Sequence, residues 1–184
     1  GTRQLIARSG DSNQGGYEIY LQDSARGSAL WDLIWDAGTA YNIRPGCPNL
    51  IERIEGGLMS YGNEFTRANN PLECGFKRYC HLEDGSDYIG REALLKIAED
   101  GPERHIMGVK FGGEALSGVA VPLAVMAEDG TVIGEVTSGI WSPRLGCNVG
   151  MSMIARRHWD AGTRITVRDT DGKLRDGTVS SLPF

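Results

Sequence analysis

The sequence predicts an α+β protein in which a mixed segment of strands and helices precedes a small antiparallel β-barrel or sandwich. Two short β-type runs flank a polar, glycine-containing turn near the start, and apolar residues then recur at helical spacing in later segments. After about residue 104, short β-type runs alternate with turn residues instead. We therefore expect two domains, at residues 1–103 and 104–184.

The elements of the first part follow from hydrophobic periodicity and from glycine breaks. Residues 4–10 and 16–21 are predicted to form the strands of a hairpin, because the second run alternates apolar and polar side chains. Helices are predicted over residues 28–37, 50–55 and 90–98, where apolar residues share one helical face and a glycine lies close beyond the end. This order of elements indicates a mixed α/β segment.

The second part is predicted to consist of short strands only. The strands are expected at residues 106–111, 119–125, 132–136, 148–154, 164–168 and 177–180. The Asp-Gly pairs at residues 129–130 and 171–172 are typical of hairpin turns, and the segment from Trp141 to Arg144 is interpreted as a turn. Regular spacing of short strands favours an antiparallel barrel or sandwich, and the residues alone leave both open.

Composition excludes several functional classes. The chain has 184 residues, a net charge of -5 and a pI near 5.2, which argues against nucleic acid as a partner. It has no apolar run of about 18 residues and no signal-peptide pattern, so we expect no membrane association and a cytoplasmic location. The four cysteines lack zinc-site spacing, so reduced thiols and no metal site are expected.

Because a hairpin begins just after Gly1, we expect some functional residues upstream of this segment.

The second strand of the hairpin carries candidate binding residues. Residues two apart in a strand share a face, so Glu18 and Tyr20 point to the same side, opposite the apolar face formed by Tyr17 and Ile19. A carboxylate accepts two parallel N–H bonds, which suits a flat ligand with an amide N–H beside an amino group. Glu18 and Tyr20 on a plain solvent face are the alternative, and the residues alone leave both open.

Two pairs on predicted helices have simpler structural explanations. Arg53 and Glu55 are expected to form an ion pair with each other or with neighbours. Trp31 and Trp35 lie four residues apart on one helix face, which more often indicates packing than a binding platform. Neither pair by itself indicates a reaction.

Several segments together resemble the C-terminal half of the folate-dependent glycine-cleavage T-protein family. In chain order they are RSGDSNQGGYEIYL, LIERIEGGLMSYGNE, NPLECGF, YIGREALLKI, IGEVTSGIWSPRLGCNVGMSMI and SLPF. The resemblance implies part of a folate-binding α/β domain over residues 1–103, followed by a C-terminal antiparallel β-barrel over residues 104–184. It also implies tetrahydrofolate as the cofactor.

The resemblance assigns roles to three residues of the hairpin. It implies that Glu18 holds the pterin ring of tetrahydrofolate and that Tyr20 lines the substrate pocket, as in the family's demethylase branch. That branch has a tryptophan after Arg-Ser-Gly that encloses a sulfonium substrate, whereas this chain has Asp11. We expect Asp11 to contact the donor, whose identity stays open, and no catalytic residue is assigned.

The implied reaction moves a methyl group from a sulfonium or quaternary ammonium donor to tetrahydrofolate, as in the branch that demethylates dimethylsulfoniopropionate. One alternative is a glycine-cleavage-type aminomethyltransferase, although Asn49 stands where the motif of those proteins has a folate-binding arginine. Another is a non-catalytic folate-binding module. The expected partner is a small-molecule methyl donor, without nucleic acid or membrane, and assembly into a homodimer is left open.

Overall fold

The computed structural model describes residues 3–10, 15–46 and 49–184. The chain forms two compact units, Gly1–Asn49 and Leu50–Phe184. The domain boundary expected at residue 103 lies inside the second of these units, and it stays a prediction.

Among the described residues, no helix is long and apolar enough to cross a bilayer. The same residues include no group of His, Cys, Asp or Glu side chains placed to hold a metal ion.

The first unit contains a two-stranded hairpin and one longer helix. Strands β1 (Leu5–Ala7) and β2 (Glu18–Tyr20) pair antiparallel, and helix α1 (Gly27–Gly38) lies between 3₁₀ turns at Ser24–Arg26 and Thr39–Tyr41. The hairpin and the helix were both predicted, and the strands are shorter than expected because pairing stops at Ala7 and Glu18.

Helix α1 ends where the chain folds back on itself. Asn42 adopts a left-handed conformation with φ 56°, and Ile43 N–H then donates to Gly38 O at 3.2 Å. The Ile43 side chain lies 2.7 Å from the position that a Cβ on Gly38 would occupy, so only glycine fits there.

The apolar side chains of the first unit have no core of their own. None of its described residues is buried, and the predicted inward face of the hairpin is open, with Tyr17 69% and Ile19 38% exposed. On α1, Leu33 and Ile34 are likewise exposed. A hairpin and one helix supply too little apolar area to cover each other.

The second unit is built on a closed antiparallel barrel. Its strands are β3 (Arg104–Phe111), β4 (Leu123–Met126), β5 (Val132–Ser142), β6 (Cys147–Ala155), β7 (Arg164–Arg168) and β8 (Leu174–Ser180). They close in the order β3-β6-β5-β4-β7-β8, with every pair antiparallel. The predicted barrel is thereby confirmed, and closure leaves no unpaired sheet edge.

Of the six barrel strands, β7 has the predicted bounds and the other five differ, most clearly β5 and β4. Strand β5 continues through Trp141 and Ser142, so the interpretation of these two residues as a turn is wrong, and the turn occupies residues 143–146. Pairing with Asn148 and Cys147 holds them in the strand. Strand β4 begins at Leu123, later than the expected residue 119.

The barrel interior is filled by apolar side chains that alternate inward along each strand. Its fully buried members include Val109, Val125, Val136, Val167, Val179 and Phe111. Asn148 is buried as well: its Nδ2 donates to Gly112 O and Glu114 O, each at 3.1 Å, and its Oδ1 accepts from Leu116 N–H at 2.9 Å. This side chain therefore fixes the loop that follows β3.

Helix α2 (Leu50–Glu55) and the C-terminal residues cover the outside of β3 and β6. Ile54 is fully buried against Ile106, Val149 and Met151, and the side chains of Leu182 and Phe184 pack against the same cluster. The Phe184 ring lies 2.7 Å from where a Cβ on Gly108 would stand. A bare glycine backbone in β3 thus makes room for the terminal ring.

Helix α3 (Arg91–Asp100) packs on the loop that links α2 to the barrel. Its Leu94 and Ile97 contact a small cluster formed by Leu72, Cys80 and Leu82.

Cys74, Cys80 and Cys147 are free thiols, which confirms the expectation for the described cysteines, and Cys47 lies outside the described residues. Burial raises the pKa of the Cys74 thiol, and the neighbouring Glu73 raises it further, against the opposing effect of Arg104.

Candidate functional site

The hairpin places the two predicted binding residues on one face. Tyr20 pairs with Leu5, Ile19 with Ile6, and Glu18 with Ala7. Because strand side chains alternate, Glu18 and Tyr20 project from the same side of the hairpin and Ile19 from the other. Both Glu18 and Tyr20 are exposed, so the face that they share is accessible.

The Glu18 carboxylate has a partner within the hairpin. The Ser9 hydroxyl donates a hydrogen bond to Glu18 Oε2, across the two arms of the hairpin. An ionised carboxylate only accepts, so the hydroxyl is the donor, and the remaining lone pairs of both carboxylate oxygens can serve a ligand. Ser9 is not among the residues predicted for the site, although it belongs to the Arg-Ser-Gly motif at residues 8–10 that marks the family resemblance.

Open space lies beside the Glu18 strand. Apart from each glycine and its two chain neighbours, no atom of the described residues lies within 4 Å of where a Cβ on Gly15 or Gly16 would stand. A flat group can therefore approach the backbone that leads into β2. Asp11, the third predicted site residue, lies outside the described residues, so its role stays a prediction.

The two tryptophans of α1 stack on each other. The ring centroids of Trp31 and Trp35 are 6.1 Å apart, and the ring planes differ by 14°. With Ile34, Ile43 and Pro45 they line a cavity of about 200 Å³. Trp31 is 57% exposed and Trp35 37% exposed, so the packing role expected for them stays a prediction.

Arg53 forms a buried network with residues outside its own helix. Its Nη1 donates to Glu64 Oε2 at 3.1 Å and to Leu58 O at 2.8 Å, and its Nη2 donates to Ser138 Oγ at 2.7 Å. Glu64 is fully buried in its side chain and also accepts from Ser60 N–H at 2.6 Å. The network ties α2 to the following loop and to β5.

Glu55 has different partners again. Ser142 Oγ donates to its Oε1 at 2.5 Å, and Arg144 Nε donates to its Oε2 at 2.6 Å. Burial by itself raises the pKa of Glu55, but the hydrogen bonds from Ser142 and Arg144 outweigh that effect, and the net pKa is lowered. Arg53 and Glu55 both form structural ion pairs, as expected, but with Glu64 and Arg144 and not with each other, since residues two apart on a helix do not face each other.

These contacts hold α2 against the barrel wall. A β-bulge between Val136 and Ser138 shifts the register of β5 against β6. Bulges of this kind re-aim a side chain, and here the Ser138 hydroxyl meets Arg53. The arrangement is structural: it braces the loop and helix that follow the first unit. Its acceptors Glu64 and Ser138 went unnoticed in the sequence because they lie 11 and 85 residues from Arg53.

The chain matches two known protein domains in sequence. Residues 1–84 match the GCVT N-terminal domain, and residues 104–184 match the glycine cleavage T-protein C-terminal barrel domain. The second match coincides with the closed barrel and its C-terminal residues.

Curated relatives share sequence over nearly the whole chain. Dimethylsulfoniopropionate demethylase DmdA of Ruegeria pomeroyi is 46% identical over 180 residues, which are 97% of this chain and 48% of that protein. An aminomethyltransferase of Symbiobacterium thermophilum is 34% identical over 183 residues, 98% of this chain and 47% of that protein. A trimethylamine-oxide aldolase of Ruegeria pomeroyi is 33% identical over 188 residues, 100% of this chain and 23% of that protein.

A solved structure shows the same fold. The glycine cleavage system aminomethyltransferase T from Bartonella henselae superimposes with a TM-score of 0.76 at 24% identity, over 98% of this chain and 49% of that one. The chain spans about half the length of the demethylase and aminomethyltransferase relatives that it matches.

Proposed function

Because the chain belongs to the glycine cleavage T-protein family, we propose that the full-length protein is a cytoplasmic enzyme that moves a methyl group from a sulfonium or quaternary ammonium donor to tetrahydrofolate. The main support for this proposal is the 46% identity to a dimethylsulfoniopropionate demethylase, compared with 34% identity to an aminomethyltransferase over almost the same residues. A difference of this size over the same segment favours the demethylase branch.

The Glu18 face of the hairpin fits the pterin of tetrahydrofolate. An exposed carboxylate that keeps free lone pairs on both oxygens can accept the adjacent amide N–H and amino hydrogens of the ring. The open space beside Gly15 and Gly16 admits a flat group next to the strand. Tetrahydrofolate itself supplies the acceptor nitrogen, N5.

Tyr20 and Asp11 are proposed to contact the methyl donor. Tyr20 shares the face of Glu18 and is 51% exposed, so its ring can lie against a cationic sulfur or nitrogen. A carboxylate at position 11 attracts the same cation by charge. In this transfer the donor would leave as a neutral sulfide or amine, and the proton displaced from N5 would pass to solvent. No strong general acid is therefore required, and the residues of the chain act by orienting the reactants and excluding water.

An aminomethyltransferase is the second candidate, since several relatives of that name are 32–34% identical. It would need the lipoyl carrier protein as a partner and would form methylene-tetrahydrofolate. Asn49, in place of the arginine of its motif, disfavours it.

The deciding experiment incubates the full-length protein with tetrahydrofolate and a panel of donors, and it identifies the folate product by mass. The panel contains dimethylsulfoniopropionate, glycine betaine, dimethylglycine and sarcosine. Methyl-tetrahydrofolate from an onium donor supports the proposal and names the substrate. Methylene-tetrahydrofolate formed only with an aminomethyl-lipoyl carrier would assign the aminomethyl branch, and folate binding without any product would leave a binding module.

Replacing Glu18 by glutamine tests the folate assignment. Glutamine keeps the shape but loses the charge and one acceptor oxygen, so we expect tetrahydrofolate to bind roughly 10- to 100-fold more weakly, as for a lost charge-assisted hydrogen bond. Calorimetric titration of the full-length protein measures this change. Asp32→Asn, an exposed acid-to-amide change on α1, is the control, and equal affinity of Glu18→Gln and wild type would remove the assignment.

A further inference from the structure

We propose that Ser9 is a positioning residue that fixes the Glu18 carboxylate in the orientation needed to bind the pterin edge. The inference rests on the proposed folate-binding role of Glu18 and adds a residue to that site. The observation that supports it is the hydrogen bond from the Ser9 hydroxyl to Glu18 Oε2. Ser9 itself is not expected to touch the folate N5 or the methyl group.

The hairpin register explains why Ser9 reaches this carboxylate. Glu18 is paired with Ala7, whose methyl group is too short to hinder a side chain that crosses the hairpin. Ser9 lies two residues beyond Ala7, at the diagonal position from which cross-strand side chains interact. The bond therefore joins two arms of one face and does not depend on neighbouring elements.

An orienting partner matters here because the site is exposed. A glutamate side chain on a solvent face samples several rotamers, and its terminal carboxylate rotates over a broad range. Bidentate recognition of an amide N–H and an amino group requires both oxygens in the plane of the ligand. A hydroxyl that holds Oε2 selects one orientation before the ligand arrives, so less freedom is lost on binding.

The bond also leaves the acceptor capacity that recognition needs. Each carboxylate oxygen has two lone pairs, so Oε2 retains one after accepting from Ser9 and Oε1 is not engaged by that bond. A donor on the Ser9 side is therefore compatible with a ligand that presents two parallel N–H groups. Threonine has the same hydroxyl and should preserve the function, whereas alanine should not.

The test measures tetrahydrofolate binding to the full-length protein by calorimetry. Ser9→Ala should bind about tenfold more weakly than wild type, and Ser9→Thr within about threefold of it. Ser28→Ala, a serine-to-alanine change at an exposed position of α1, is the matched control and should bind as wild type. Because Ser9 is exposed, Ser9→Ala should unfold thermally as wild type does in the absence of folate.

A double-mutant cycle separates positioning from any independent contact. In a Glu18→Gln background, Ser9→Ala should change the folate affinity by less than about twofold, because the carboxylate that it orients is gone. Wild-type affinity of Ser9→Ala, or an equal loss in both backgrounds, would overturn the role of Ser9. Failure of the wild-type protein to bind folate would instead overturn the proposed function, so the two failures are distinguishable.

Discussion

Glu55 shows how one carboxylate depends on side chains from distant strands. Its side chain is 13% exposed, and Ser142 and Arg144 donate to its two oxygens. Burial favours the neutral form, yet these two donors reverse the balance and lower the pKa of the group below 4.5. The ionised form therefore stabilises the folded state.

A pH-dependent loss of stability follows at this residue. A lowered folded-state pKa means that the folded protein binds fewer protons than the unfolded chain in acid. The contribution of Glu55 is thus fully present above pH 4.5 and is lost as the pH falls through the folded-state pKa. We expect the unfolding free energy to fall less steeply in Glu55→Gln than in wild type between about pH 5 and pH 3, as measured by urea denaturation.

Asp169→Asn is a useful comparison in that experiment, because Asp169 also has a lowered pKa: hydrogen bonds from Lys173 and Arg175 outweigh the raising effect of burial. Each variant should remove only the contribution of its own carboxylate to the slope of the unfolding free energy against pH. Parallel curves for wild type and Glu55→Gln would contradict the assignment of the carboxylate.

At the scale of elements, a buried ion pair decides how the short helix α2 sits on the barrel. A helix of six residues has little stability of its own, so its position depends on tertiary contacts. Ile54 supplies the apolar contact, and Arg53 supplies hydrogen bonds to Glu64 and Ser138. Because the Glu64 side chain is fully buried, its charge needs the opposite charge and the hydrogen bonds that Arg53 provides.

Replacing Arg53 by methionine should therefore destabilise the protein by about 3–5 kcal/mol, since it leaves the Glu64 charge buried without its partner. The double change Arg53→Met with Glu64→Leu should recover most of that loss, because it removes both charges. Urea denaturation gives both values.

Arg164→Met is the matched control, because Arg164 and its partner Glu128 are 80% and 68% exposed. Exposed pairs contribute at most about 1 kcal/mol, so this variant should stay close to wild type. Equal losses in Arg53→Met and Arg164→Met would show that burial of Glu64 does not control the stability of α2.

At the scale of the whole chain, the two units differ in how they are held together. The second unit has a closed barrel with a continuous apolar interior, whereas the described part of the first has no buried residue. Strands β1 and β2 pair over three residues each, and a two-stranded hairpin is marginal without packing. Local opening should therefore be far easier in the first unit.

Hydrogen exchange on the 184-residue chain tests this difference. Amides of β3 and β6, which are paired on both sides, should exchange at least about 1,000-fold more slowly than those of β1 and β2. Mass spectrometry of peptic peptides resolves the two groups. Comparable protection in the hairpin and the barrel would show that the first unit is stabilised by contacts beyond its own residues.

Local periodicity was enough to predict the helices and most strands. Helix α2 and strand β7 have the bounds expected from the sequence, because the spacing of apolar residues and the glycine after α2 act over a few residues. The shared face of Glu18 and Tyr20 was predictable for the same reason, since alternation in a strand is a local property.

The sequence by itself determined the class of the protein: its helices, its run of short strands, its family motifs and the carboxylate that faces outward from the hairpin. Only the tertiary structure decided the order in which the strands close the barrel, that β5 extends to Ser142, and which partners the charged side chains find. Ser142 is 87 residues from Glu55, and Ser9 meets Glu18 only once the hairpin has formed. Contacts between residues far apart in the chain depend on strand order and register, which short-range patterns do not specify.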